Sequence, residues 1–182
     1  TGLFSRFLGA GFYYKTFMWP KSFWEKIYEP AIRSSAGLGR LSMKPDPSSY
    51  DKGFLHCDVL VVGSGVAGLI AAEQLANSGI RVLLLEEDFQ MGGRLNSEDL
   101  SINQISSSEW VENWVSSLKK LDNLRILTRT SLYGSFDHGI YGALEKKPEY
   151  LSKNKKKPRQ ILWKIYAKHC VLASGAVERS IV

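Results

Sequence analysis

Apolar runs alternate with amphipathic stretches in the middle of this chain, and the pattern predicts an α/β fold. Val59–Val62 is a short β-branched run, typical of a strand buried on both faces, and Arg81–Leu85 is a second such run. Between them, Ala67–Ser78 predicts a helix with Gly79 as its C-cap. Apolar residues then recur at helical spacing over Ser107–Lys120, which predicts a second helix packed on the core.

Glycines occupy the turn between the first predicted strand and its helix, in the pattern G-x-G-x-x-G. Gly63 permits the tight turn, Gly65 lets the backbone approach a pyrophosphate, and Gly68 lets the helix pack on the strand. The helix that follows directs its N–H groups and positive dipole end at the phosphates. Glu86 ends the second strand 18 residues after Gly68, near the roughly 20 expected for an acid that binds a ribose hydroxyl. A carboxylate there would repel a 2′-phosphate, so NAD or FAD is favoured over NADP.

Two segments beyond the second strand add candidate contacts. Glu87 and Asp88 bring further negative charge, and either is a candidate ribose ligand or a solvent-facing residue. Paired glycines and an arginine follow at 92–94; they suit a loop that passes a diphosphate, and the alternative is an ordinary turn with a solvated arginine. The run at 170–176 predicts a buried strand ending in small residues that leave room for a cofactor.

The hydrophobic period changes after Leu124, and the remaining segments predict strands. The run at 126–128 is expected to join the parallel sheet, and later strands are predicted at 141–145, 161–166 and 169–172. The intervening strands indicate a β-meander in place of a crossover helix. With the glycine turn, this order predicts an α/β, Rossmann-like FAD/NAD(P)-binding domain with a parallel sheet and a β-meander insertion.

The chain divides into three predicted regions. Residues 1–40 are rich in aromatic residues and are expected to form an N-terminal packing arm, with a short amphipathic helix interrupted by Pro30. Residues 41–56 contain prolines and serines typical of a linker, and residues 57–182 form the dinucleotide-binding domain. Because the chain starts without methionine and stops soon after the last predicted strand, we expect a fragment of a longer polypeptide, incomplete at the C-terminus of this domain.

The charge and the apolar content of the chain indicate which classes of binding partner are expected. The 182 residues carry a net charge of +6, much of it from the basic run at 146–159. Such a run is compatible with binding nucleic acid or anionic lipid, but a solvated loop is favoured because no aromatic platform, zinc spacing or helical basic stripe accompanies it. No apolar run approaches the roughly 20 residues that span a bilayer. Neither nucleic acid nor a membrane is therefore an expected partner.

The remaining reactive residues predict neither catalysis nor metal binding. Cys57 and Cys170 form no CxxC pair and no metal-ligand pattern, which is typical of small buried residues in a reducing compartment. With no secretory signal, a cytoplasmic location is expected. Asp137 and His138 form a pair suited to acid–base chemistry, but neighbours on a strand point to opposite faces.

Beyond the dinucleotide motif, the chain resembles the alpha subunits of heterotetrameric sarcosine oxidases. Five blocks carry the resemblance: GAGFYYKTFMWP (9–20), YEPAIRSSAGLGR (28–40), HCDVLVVGSGVAGLIAA (56–72), YGSFDHGIYGALE (133–145) and LWKIYAKHCVLASGAVERSIV (162–182). Ser174 and Ser180 replace the usual threonine and proline, and GSGVAG stands where GxGPAG is common. The substituted residues near the glycine turn remain small.

The resemblance implies a subunit that binds NAD noncovalently. It implies FAD and FMN in the wider complex, mainly on the beta subunit, and beta, gamma and delta subunits as partners. Tetrahydrofolate would bind through a C-terminal aminomethyltransferase-like region outside this chain, and a ferredoxin-like N-terminal domain would also lie outside it. The whole enzyme would oxidise sarcosine to glycine and peroxide, with methylenetetrahydrofolate as a further product.

The resemblance also places the nucleotide contacts. By position they are Gly63, Gly65, Ala67, Gly68, Glu86, Glu87, Gly93, Arg94, Leu95, Thr130, Ser131, Ala173, Ser174 and Gly175. Three alternatives to an NAD-binding oxidoreductase subunit stay open: an FAD-binding subunit of a related amine or opine dehydrogenase, an assembly module with a vestigial nucleotide site, and a nucleic-acid-binding protein. The chain alone is expected to be inactive as an oxidase.

Overall fold

A computed structural model describes residues 22–37, 42–102, 104–148 and 157–176. Most of the predicted aromatic arm, the centre of the basic run and the end of the last resemblance block, residues 177–182, lie outside those ranges. The chain divides into two compact units, Thr1–Asp46 and Pro47–Val182. Each unit is described by itself.

The first unit contains a helical segment that passes through Pro30. A π-helical turn, Trp24–Tyr28, leads directly into an α-helix, α1, Glu29–Ser35. The prediction that Pro30 interrupts this helix is wrong. The proline is the second residue of α1, and the helical segment continues through it from the π-helical turn to Ser35.

The second unit is an α/β domain. Its strands are β1 Tyr50–Val62, β2 Val82–Leu85, β3 Ser101–Ile102, β4 Ile105–Ser106, β5 Leu124–Leu127, β6 Thr130–Phe136, β7 Ile140–Lys146 and β8 Gln160–Leu172. Its α-helices are α2 Val66–Asn77 and α3 Ser107–Leu118, and short 3₁₀ turns lie at Gly93–Asn96 and Asp137–Gly139. The helices and strands predicted around the glycine turn are thus present.

The main sheet has the strand order β5-β2-β1-β8-β7-β6. The strands β5, β2, β1 and β8 run parallel, whereas β6, β7 and β8 form an antiparallel meander. This arrangement confirms the predicted parallel sheet, with the run at 126–128 contributing to β5, and the predicted meander insertion.

Two strands are longer than their local sequence predicts. Strand β1 begins at Tyr50, so residues 50–56 belong to the strand and not to a linker. Strand β8 is continuous over Gln160–Leu172, where two separate strands are predicted. The cause is their mutual pairing, which runs in register from Tyr50 and Gln160 to Val62 and Leu172. Such long-range pairing outweighs the polar composition of the starts of both strands.

The strand side chains divide between two apolar clusters, one on each face of the sheet. Val59, Val61 and Leu84 pack in the cluster that includes helices α2 and α3. Leu60 and Leu83 point to the other face and pack with residues of the meander. Because successive strand residues alternate between faces, burial of both faces explains the unbroken apolar runs in β1 and β2.

Local capping fixes the ends of the two long helices. At the end of α2, Gly79 adopts a φ of +80° and its N–H donates to Ala76 O at 2.9 Å, while Ile80 N–H donates to Leu75 O at 3.2 Å. These bonds form a Schellman motif, as Gly79 predicts. At the start of α3, the Ser106 hydroxyl accepts a hydrogen bond from Glu109 N–H at 3.3 Å.

No helix in the described ranges is both long enough and apolar enough to cross a membrane.

Candidate functional site

A cavity of about 480 Å³ opens at the carboxyl ends of the parallel strands. Val62, Leu85 and Leu172 end β1, β2 and β8 there, and the first residues of β6 close one side. Eleven of the fourteen predicted contact residues line it: Gly63, Gly65, Glu86, Glu87, Gly93, Arg94, Thr130, Ser131, Ala173, Ser174 and Gly175. Ligands of open α/β sheets bind in this position, outside the carboxyl ends of the strands.

Three predicted contact residues do not line the cavity. Leu95 is buried in the core cluster beneath α2 and α3. Gly68 is buried where α2 crosses the glycine turn, and Ala67 lies on an exposed part of α2. Ala67 and Gly68 lie in the first turn of α2, just beyond the lining residue Gly65, and Leu95 directly follows the lining residue Arg94.

The three motif glycines have different structural roles. A Cβ atom at Gly68 would lie 1.9 Å from the carbonyl oxygen of Gly63, and a Cβ at Gly63 would lie 2.4 Å from the carbonyl oxygen of Ala173. Packing therefore requires glycine at both positions. At Gly65, a Cβ would meet no described protein atom within 4 Å. Space at Gly65 is left open toward the cavity, as a diphosphate that approaches the backbone requires.

The second glycine pair packs over the first. Gly92 N–H donates to Ser64 O at 2.9 Å, and a Cβ at Gly93 would lie 3.4 Å from Gly65 Cα. Both glycines adopt positive φ, +118° at Gly92 and +55° at Gly93. The loop that follows β2 thereby brings Arg94 to the cavity, where its Nε donates to Glu98 Oε1 at 2.5 Å.

Glu86 is held by the glycine turn. Its Oε2 accepts hydrogen bonds from the backbone N–H of Ser64, at 2.8 Å, and from the Ser64 hydroxyl. Its Oε1 accepts one from Asp88 N–H at 2.9 Å. The neighbouring Glu87 also lines the cavity but is exposed. Of the three acids that the sequence proposes for the ribose, Asp88 does not line the cavity, and Glu86 is the lining acid that these hydrogen bonds hold in place.

Sequence reasoning missed several lining residues. Ser64 is the polar one, and it is completely buried. A serine at a variable position of a glycine motif gives no signal by itself, since its partners lie far away in sequence. The others are Val62, Leu85, Leu132, Leu172 and Ala176. Val62, Leu85 and Leu172 end their strands, Leu132 lies in β6 and Ala176 follows β8, so the topology brings these residues together.

Thr130 and Ser131, the first two residues of β6, line one side of the cavity. Thr130 N–H donates to Glu86 O at 2.8 Å, which joins β6 to the end of β2. The Thr130 hydroxyl donates to Thr128 O at 2.9 Å. Thr130 thus supports the site through its backbone, while Ser131 follows it along the wall.

A charge cluster around Asp58 lies away from the cavity. The Arg81 guanidinium, with further help from Lys168, holds the pKa of Asp58 far below its usual range. Burial raises the pKa of the Cys57 thiol to about 11, and burial also raises the pKa of Cys170. Both cysteines are free thiols that remain protonated near neutral pH, so neither is set up as a nucleophile.

The Asp137–His138 pair lies in a 3₁₀ turn between β6 and β7. The expectation that both residues sit on a strand is therefore wrong: His138 adopts a positive φ of 62° in the turn. Neither residue lines the cavity at the glycine turn. Within the described part of the chain, no three His, Cys, Asp or Glu side chains are grouped as metal ligands.

The fold and the cavity define a Rossmann-like dinucleotide-binding domain of the kind found in FAD/NAD-dependent oxidoreductases. The family described as NAD(P)-binding Rossmann-like domain matches residues 61–119. L-proline dehydrogenase from P. horikoshii has a similar structure, with a TM-score of 0.57 and 26% sequence identity over 79% of this chain and 26% of that one.

At the level of sequence, the chain is similar throughout its length to sarcosine oxidase subunit alpha. It is 42% identical over all 182 residues to that subunit from Rhizobium meliloti (strain 1021). It is 37% identical over 150 residues, 81% of this chain, to the one from Corynebacterium sp. (strain U-96). The chain spans only 18% and 16% of these relatives' lengths. The resemblance drawn from its sequence blocks is confirmed.

Proposed function

We propose that this chain is the NAD-binding portion of a sarcosine oxidase-like alpha subunit. The observation that carries the proposal is the open space at Gly65, where no described atom would contact a Cβ although the neighbouring glycines are tightly packed. Packing within the protein does not require glycine at this position, whereas close approach of a bound ligand does. The space faces the same cavity as the Glu86 carboxylate, which suits a nucleotide with a diphosphate and a ribose diol.

Different residues of the cavity are proposed to bind different parts of the nucleotide. The turn at Gly63–Gly65 and the start of α2 receive the diphosphate, with Gly93 and Arg94 on its other side. Glu86 binds the adenosine ribose. The small residues 173–175 leave room for the rest of the nucleotide. Bound NAD carries a ring that exchanges hydride in oxidoreductases.

Oxidation of sarcosine would take place in a partner subunit. Among the described residues that line the cavity there is no histidine or lysine, and the two glutamates are the acids proposed for the ribose. We therefore expect the chain alone to lack oxidase activity, and the beta, gamma and delta subunits, the flavins and tetrahydrofolate to be supplied by the rest of a cytoplasmic complex.

A second candidate is FAD in the same cavity, as in an amine or opine dehydrogenase subunit. The structural similarity to L-proline dehydrogenase favours it. Both nucleotides present a diphosphate and a ribose diol, so the residues described here fit either. The match of residues 61–119 to the family described as NAD(P)-binding Rossmann-like domain favours NAD.

The test is calorimetric titration of the intact protein with NAD, NADP and FAD. We expect NAD to bind more tightly than NADP, and Glu86→Gln to weaken NAD binding about 10-fold or more, since hydrogen bonds to charged groups contribute about 1.5–3 kcal/mol. Glu87→Gln, which removes an equal charge from the exposed neighbour, is the matched control and should change affinity much less. The proposal would be contradicted if none of the three nucleotides bound to the protein.

A further inference from the structure

Ser64 is one of two fully buried polar side chains in the described wall of the cavity, the other being Thr130. Both hydrogen-bond donors of Ser64 point to one oxygen. Its backbone N–H and its hydroxyl each donate to Oε2 of Glu86. Its accessible surface is 0%. A buried serine hydroxyl needs a partner, and here the partner is the carboxylate of the proposed ribose ligand.

The two carboxylate oxygens of Glu86 therefore differ in how many further hydrogen bonds each can accept. Oε2 is occupied by two donors from Ser64, whereas Oε1 accepts one described bond, from Asp88 N–H. A carboxylate oxygen has room for about two hydrogen bonds. The remaining acceptor position on Oε1 is available for a ribose hydroxyl, and its direction is fixed because three donors hold the carboxylate.

Ser64 also connects this acid to the loop over the diphosphate position. Gly92 N–H donates to Ser64 O at 2.9 Å, and the same N–H lies 3.3 Å from the Ser64 hydroxyl oxygen. One buried residue thus links the ends of β1 and β2 with the Gly92–Gly93 turn. Displacement of Ser64 would move the ribose-binding and diphosphate-binding parts of the cavity relative to each other.

We propose that Ser64 is a positioning residue that fixes the Glu86 carboxylate toward the ribose and so sets the preference for a nucleotide with a free 2′-hydroxyl. The inference rests on the proposed nucleotide-binding function. A carboxylate held by three hydrogen bonds cannot turn away from a 2′-phosphate, so NADP meets an unrelieved negative charge. Without the Ser64 hydroxyl, only the two backbone hydrogen bonds remain, so the carboxylate is held less firmly and the discrimination falls.

The experiment is a double-mutant cycle in the intact protein, with NAD and NADP as the titrated nucleotides. Ser64→Ala should weaken NAD binding about 3- to 10-fold, the effect of one hydrogen bond, and should lower the ratio of the two affinities. In a Glu86→Ala background, which removes both acceptor oxygens, Ser64→Ala should have little further effect, because Ser64 acts through that carboxylate. A purely structural serine would lower affinity equally in both backgrounds.

Ser107→Ala is the matched control. Ser107 is also buried, and its hydroxyl donates to Glu98 O at 2.9 Å, outside the lining of the cavity. This variant should lose stability yet keep both nucleotide affinities. Ser64→Cys keeps nearly the same volume with a weaker donor, so it supplies the same measurement if Ser64→Ala does not fold.

An unchanged ratio of NAD to NADP affinity in Ser64→Ala, or in Ser64→Cys where that variant replaces it, would overturn the inference. So would an equal loss of NAD affinity in the presence and absence of the Glu86 carboxylate. Failure of the unmodified protein to bind any nucleotide would instead overturn the proposed function.

Discussion

Replacing Gly65 or Gly68 by alanine separates a glycine needed for ligand binding from a glycine needed for folding. At Gly65 the backbone has φ −66° and ψ −176°, which alanine adopts without strain, and a Cβ would meet no described atom within 4 Å. Alanine is a poorer N-cap than glycine, but it also restricts the unfolded chain, and the two effects oppose each other. We expect the free energy of unfolding of Gly65→Ala to lie within about 1 kcal/mol of the parent value.

The same change at Gly68 should destabilise the fold. Its Cβ would lie 1.9 Å from Gly63 O, far inside van der Waals contact, and a neighbouring backbone carbonyl cannot yield as a side chain can. Overpacking of this kind costs about 1–3 kcal/mol or more, which exceeds the gain of about 1 kcal/mol from placing alanine in a helix.

Gly65→Ala, which we expect to change stability little, should instead weaken nucleotide binding. Because Gly65 lines the cavity, we propose that the Cβ of Gly65→Ala takes up space needed by the diphosphate, and we expect NAD affinity to fall at least about tenfold, equivalent to 1.4 kcal/mol. The assay combines denaturant unfolding without nucleotide with calorimetric titration of each variant. Unchanged NAD affinity in Gly65→Ala, or a Gly68→Ala variant as stable as its parent, would refute the reasoning.

Three further predictions concern the core, the charge cluster and the thiols. Leu118→Ala should lower the free energy of unfolding by about 2–5 kcal/mol in denaturant titrations because Leu118 is completely buried, whereas Met43→Ala, at a side chain 93% exposed, should change it little. Because Arg81 lowers the pKa of folded Asp58, the melting-temperature advantage over Asp58→Asn should be present above about pH 4, near the unfolded pKa, and shrink as the pH falls further; an advantage that grows in acid would contradict this. Since the Cys57 thiol is buried with a pKa of about 11, mass mapping at pH 8 should find it alkylated only after unfolding, and rapid native labelling would refute that expectation.

Local sequence signals predicted the βαβ unit well. The strand ending at Val62, the three glycines, the Schellman glycine Gly79 and strand β2 all follow from short-range physics: burial of apolar runs, positive φ and helix capping. The meander was also predicted, because the hydrophobic period changes after Leu124 and no helical pattern returns before β8.

Features that depend on distant partners were not predictable in this way. The early start of β1 at Tyr50 and the continuity of β8 arise from pairing between segments 110 residues apart. The bond from Ser64 to Glu86 joins residues 22 positions apart, and nothing near Ser64 in sequence marks it. Glu86 itself was predicted from its spacing, but its attachment to the glycine turn was visible only in the fold.

The most direct test of the account is the identity of the nucleotide released when the purified intact protein is denatured, after flavin-containing partner subunits have been removed. Absorbance separates flavin from nicotinamide nucleotides, and mass spectrometry identifies the compound released. The account predicts NAD, released from the parent protein and lost from Gly65→Ala. FAD released from this subunit, or no nucleotide from a protein that also fails to bind added NAD, would contradict it.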